Sequence, residues 1–156
     1  MSIGYQLPLV HSSQVEHLFA AAELNCEQVT VVFTELEGTL RALAVARGLG
    51  RALGAQVAVV AVKTPKYQPR GGGALAAKDA ELDALQSCVR AAGDIRFRVI
   101  AAPRTSDALS IALAPGSLVV VGGRRRLWPT PISRLCRQLE ARGHYVLFVD
   151  EVRHAA

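Results

Sequence analysis

The chain has 156 residues, 51% of them hydrophobic but only 5% aromatic, and a formal net charge of +5. That length suits one domain, with a core that Ala, Val and Leu must fill. No apolar run reaches the about 18 residues of a membrane-spanning helix, and the N-terminus lacks the basic and apolar regions of a signal peptide, so a cytoplasmic location is expected.

In chain order, Ser12 and Ser13 can cap a helix over Gln14–Leu24, with Val15, Leu18, Phe19 and Ala22 on one face. Residues 1–27 read as an N-terminal extension carrying this helix, and 28–156 as the domain proper. Val29–Thr34 is β-branched and aromatic, a first strand. Glu35–Thr39 turns the chain, and a helix is predicted over Thr39–Leu53, stopped by Gly54. Gln56–Val62 is the second strand. The stretch 63–73 is rich in Pro, Lys, Arg and Gly. Its Gly71-Gly72-Gly73 reads as a hinge rather than a phosphate cradle, because no strand leads into it. Ala74–Ala92 is a helix ended by Gly93. Ile95–Ala101 alternates, with Arg96 and Arg98 opposite Ile95, Phe97 and Val99, as a half-exposed edge strand does. Thr105 or Ser106 caps a short helix to Leu113, which Pro115-Gly116 breaks.

The last unit, Ser117–Asp150, organises the rest. Val119–Val121 is continuously apolar, as in a parallel strand covered on both faces. Gly122 and Gly123 allow a sharp turn and a close approach. Thr130 can cap a helix that starts at Pro131 and stops at Gly143. A final strand over His144–Asp150 follows. Strict alternation of strands and helices predicts a doubly wound five-stranded parallel sheet, order 3-2-1-4-5, with helices on both faces and the extra N-terminal helix added. The ligand crevice of such a sheet lies between strands one and four. It brings Thr34–Gly38 beside Gly122–Thr130, and anions would sit at the start of the last helix, near Ser133.

Other residues are better explained without chemistry. Cys26, Cys88 and Cys136 are odd in number and lack CxxC spacing, so they read as buried free thiols rather than disulfides or zinc ligands. His11, His17, His144 and His154 form no ligand set. Arg124-Arg125-Arg126 with Trp128 could hold a phosphate or nucleic acid, or could form a solvated loop anchored by Trp128. Ser133 has no His–Asp partner pattern and reads as a helix-start hydroxyl. Asp107 complements the dipole of its helix, and Tyr67 lies in the loop that carries the glycine run.

From Val29 to Asp150 the chain resembles the universal stress protein family. Gly38-Thr39-Leu40-Arg41-Ala42-Leu43-Ala44-Val45-Ala46-Arg47 is similar to the first helix of that family, and Ser117–Asp150 to its last strand-helix-strand unit. The resemblance implies the five-stranded sheet and, as in many members, dimerisation through the last strand. One branch of the family binds ATP through an Asp ending the first strand and a loop G-x2-G-x9-G-[ST] after the fourth. Here Thr34-Glu35 replaces the Asp. The loop keeps Gly122 and adds Gly123, but Arg124 and Arg125 follow, with Arg125 in place of the second glycine. Ile132 replaces the third glycine, ahead of Ser133, and the spacing is about three residues short. Side chains at Arg125 and Ile132 enter the space that a triphosphate needs.

The nucleotide-site positions are therefore Thr34, Glu35, Gly122, Gly123, Arg124, Arg125 and Ser133, and no catalytic or metal set accompanies them. The expected role is a non-catalytic, cytoplasmic stress-response or regulatory domain acting through dimerisation and protein contacts, without a cofactor. A nucleotide-binding protein with an altered loop, taking ATP, AMP or a cyclic dinucleotide, is the alternative; a basic nucleic-acid-associated protein is the next. Tyr145, Leu147 and Phe148 in the final strand are the expected dimer contacts.

Overall fold

A computed structural model describes residues 26–63, 73–124 and 130–150, with the first turn of one helix, 73–78, described by its backbone alone. Nine elements alternate along the chain. They are β1 Gln28–Val32, α1 Leu36–Leu53, β2 Gln56–Lys63, α2 Gly73–Ala92, β3 Ile95–Ala101, α3 Thr105–Ala112, β4 Leu118–Gly123, α4 Pro131–Ala141 and β5 Tyr145–Asp150. All strand pairs are parallel, and the sheet order is β3-β2-β1-β4-β5. The expected N-terminal helix, the glycine run Gly71-Gly72, Tyr67, Arg125, Arg126 and Trp128 lie outside the described residues.

Period-two alternation of the strands divides the core. Val29 and Val31 of β1 join Val57, Val59, Leu118, Val120, Leu147 and Val149 beneath α1 and α2, where Ala42, Ala46, Leu85 and Val89 meet them. Val32, Val60, Val119, Val121 and Val146 point to the other face and pack on Leu109 and Leu113 beside α3 and on Leu139 of α4. Small side chains on α1 let that helix lie close on the sheet. Complete burial of a Val or Leu contributes about 1.5–3 kcal/mol, so the strands β1 and β4, buried on both faces, anchor the domain.

Several boundaries differ from the sequence reading, each for a local reason. β1 ends at Val32 because the Thr34 amide turns away from the ladder and donates to the Thr39 hydroxyl at 3.1 Å. α1 starts at Leu36, three residues before Thr39. Extended Glu35 is its N-cap, and the Thr39 amide donates to the Glu35 carbonyl at 2.9 Å. Neither Thr105 nor Ser106 caps α3: Arg104 holds that position and Thr105 is its first helical residue. Gly122 and Gly123 belong to β4 rather than to a loop, since β5 continues the ladder opposite them through Val149 and Asp150. The cysteines are not buried thiols: Cys88 is exposed, and Cys26 and Cys136 are half-buried. Among the described residues, no helix is long and apolar enough to cross a membrane.

The end of the sheet away from the crevice is held by His144. The Ser117 amide donates to its Nδ1 at 3.3 Å, which fixes the remaining proton on Nε2 when the ring is neutral. Burial, and then the charge of Arg142, hold the imidazole below its ordinary value of 6.5. Arg142 itself donates to the Ser106 carbonyl at 2.7 Å and to the Ser110 hydroxyl, tying the end of α4 to α3.

Candidate functional site

At the C-terminal ends of β1 and β4, where the sheet order reverses, the structure brings Thr34, Gly38 and Gly122 together. The Thr34 hydroxyl donates to the Gly122 carbonyl at 2.7 Å. The first turn of α1 presses directly on the same glycine. A Cβ at Gly122 would overlap the Gly38 carbonyl, and a Cβ at Gly38 would lie 3.0 Å from the Gly122 carbonyl oxygen. Here glycine serves a close approach of two backbones, not a loop that wraps a ligand. Gly123 is covered from the other side: a Cβ there would meet Ile132 Cδ1 at 3.0 Å and the Phe148 ring at 3.4 Å.

The start of α4 is occupied as well. The Ser133 amide donates to the Thr130 hydroxyl at 3.2 Å, the Thr130 amide donates to the Ser133 hydroxyl at 2.9 Å, and that hydroxyl donates to the Thr130 carbonyl at 2.8 Å. This is a reciprocal capping box. Pro131 has no N–H, and the Arg134 amide donates to the Thr130 carbonyl. From Thr130 to Arg134, only the Ile132 amide is left for an anion. Ser133 is the helix-start hydroxyl that the sequence suggests. Glu35, by contrast, is exposed at the start of α1 and makes no side-chain cap.

A hollow of about 190 Å³ opens beside α4 and β5, one strand away from the β1–β4 crevice. Arg124, Thr130, Ser133, Cys136, Arg137, Glu140 and Phe148 line it. Burial, followed by the nearby Glu140 carboxylate, pushes the Cys136 thiol up to about 11, so it stays protonated and unreactive near neutral pH. Of the sequence-predicted positions, Thr34, Gly122 and Gly123 meet in the crevice, and Arg124 and Ser133 line the hollow. Glu35, next to Thr34, is exposed and does not line the hollow, and Arg125 lies outside the described residues. Sequence reasoning brought Gly38 to the crevice only as the end of the Thr34–Gly38 turn, and it passed over Arg137 and Glu140. A glycine in the first turn of a helix was the available sign for Gly38; the α4 residues carried none.

A doubly wound α/β domain of this order, with a helix start packed into its switch point, has the fold of the universal stress proteins. No family model and no curated protein sequence matches the chain. Solved structures do match. A universal stress protein from Archaeoglobus fulgidus superposes with a TM-score of 0.56 at 17% identity, over 79% of this chain and 93% of that one. A universal stress family protein from Burkholderia pseudomallei gives 0.56 at 16% identity, over 81% of this chain and 98% of that one. A universal stress protein solved in complex with cAMP gives 0.50 at 24% identity, over 81% and 99% of the two chains.

Proposed function

We propose that this protein is a non-enzymatic regulatory domain of the universal stress type, acting in the cytoplasm as a homodimer without a bound nucleotide. The observation that carries this reading is the occupied crevice: Thr34 holds the Gly122 carbonyl and Gly38 lies against the same residue. A ribose or phosphate entering there would have to displace backbone groups that are already paired. The capping box removes most amides that would otherwise receive phosphate oxygens at α4.

The dimer reading rests on β5, the terminal strand of the sheet. β3 at the other edge carries exposed Arg96 and Arg98, a common protection against edge pairing. β5 reads Tyr-Val-Leu-Phe-Val-Asp and has no positive charge. Leu147 is spent in its own chain's core at 1% exposure, so half-buried Tyr145 and Phe148 and the strand backbone are the groups to meet a second copy. Light scattering tests this: the intact protein is expected at twice the chain mass, and Phe148→Glu at the chain mass. A monomer in dilute intact protein overturns the dimer.

A nucleotide-binding reading has one observation in its favour. Arg124 and Arg137 line the same hollow as the start of α4, and cationic donors of this kind suit a phosphate. A structural relative was solved with cAMP. Under this reading the phosphate lies beside α4 rather than in the crevice, and a double Arg124→Ala, Arg137→Ala variant loses nucleotide binding.

A further inference from the structure

Arg41 stands in the second turn of α1, one turn past Gly38. Its Nε and Nη2 are shut off from solvent and, among the described residues, donate to no acceptor. These two atoms form one side-on edge of the guanidinium, the edge that matches both oxygens of a single carboxylate, or two of a phosphate. A buried donor without an acceptor forfeits its hydration for nothing, and a charged one forfeits more. A carboxylate stands close by in sequence: Glu37 is four residues earlier, the favourable orientation for a helical ion pair. Glu37 is nevertheless exposed, and the ion pairs among the described residues are Arg47–Asp94 and Lys63–Asp79. That edge of the guanidinium is therefore shut away, in a residue half-buried as a whole, rather than turned to the acid its own helix offers.

Helix geometry places the group. At about 100° per residue, Arg41 falls on the opposite shoulder of α1 from Arg47. Arg47 reaches Asp94, just after α2, at 3.6 Å, so Arg41 occupies the shoulder toward β4 and β5, which α1 also contacts.

We propose that Arg41 is a binding residue for an oxyanion, a carboxylate or phosphate, that the described residues do not supply. The shoulder over the terminal strand allows two sources. One is a carboxylate from a second copy paired at β5, a source that rests on the dimer reading above. The other is a dissolved phosphate or carboxylate, which does not.

Thermal unfolding of the full chain separates the two. Wild type, Arg41→Met and Arg41→Lys are compared across protein concentration, and across inorganic phosphate and acetate at constant ionic strength. A ligand bound only by the folded state raises the melting temperature by mass action. If the oxyanion is dissolved, phosphate or acetate raises the wild-type value, while Arg41→Met does not respond beyond the general salting effect. If a second copy supplies it, protein concentration raises the wild-type value and Arg41→Met loses that dependence. Arg41→Met melts no lower than wild type in dilute protein without added anion, because it removes two enclosed donors that no described residue pairs. Arg41→Lys keeps the charge without the fork and needs about tenfold more anion or protein for the same shift. A wild type that responds to neither variable overturns the proposal, as does an equal response in Arg41→Met. A light-scattering dimer that Arg41→Met retains at unchanged affinity, without any anion response in wild type, leaves the dimer reading standing and overturns this one.

Discussion

Two helices begin at the same end of the sheet, on adjacent strands, and they begin by different means. α4 is started by its own sequence: Thr130 and Ser133 cap each other, and Pro131 presets the first turn. α1 has extended Glu35 as its N-cap, which accepts the Thr39 amide through its carbonyl but contributes no side-chain bond. Its start is set by packing, through Gly38 against Gly122. A locally encoded helix start keeps its amides busy with its own side chains. A start fixed by tertiary contact depends on a close approach of backbones instead. In this molecule α4 spends the amides of Thr130 and Ser133 on its own cap, while Gly38 of α1 lies against Gly122.

The contrast can be broken most severely at Gly122. Gly122→Ala places a Cβ on the Gly38 carbonyl and should force α1 off β4, a loss of about 3 kcal/mol or more in urea unfolding. Gly123→Ala is the control. Its Cβ meets mainly the flexible end of Ile132, so the loss should stay below about 1.5 kcal/mol.

The two caps should respond in opposite directions. Thr130→Ala removes one half of the capping box and is expected to cost about 1 kcal/mol. Glu35→Ser supplies α1 with the cap that it lacks and should stabilise by about 0.5 kcal/mol. If Glu35→Ser destabilises as much as Thr130→Ala, the two starts are not built differently.

His144, at the far end of the sheet, gives a smaller, pH-dependent effect that leaves both starts alone. Its folded-state pKa is depressed, so the folded protein holds that proton more weakly than the unfolded chain does. The stabilisation is fully present above about pH 6.5 and is lost as pH falls through the lower folded value. The urea midpoint should therefore drop below pH 6.5 in wild type, and the slope should flatten in His144→Gln.

This division also explains what could be read from the sequence. Alternating elements, the apolar runs at β1 and β4 and the edge pattern of β3 were sufficient for the strand order, because a parallel sheet buried on both faces leaves a strong pattern. α4 and its cap were legible because a Thr–Pro–x–Ser start is local. The start of α1 was misplaced to Thr39 because Gly38 argues against helix until its contact with β4 is known. Gly122 and Gly123 suggested a loop because their place in the ladder depends on Val149 and Asp150 opposite them. The hollow beside α4 draws residues from a strand end, a helix face and β5, and no short stretch encodes such a grouping.

The central claim is that the crevice between β1 and β4 is filled by the chain's own groups. Isothermal titration with ATP, AMP and cAMP at moderate salt tests it directly. The account predicts no saturable heat from any of the three. Saturable micromolar binding that survives moderate salt and weakens in Thr34→Val would place a nucleotide in the crevice and contradict it.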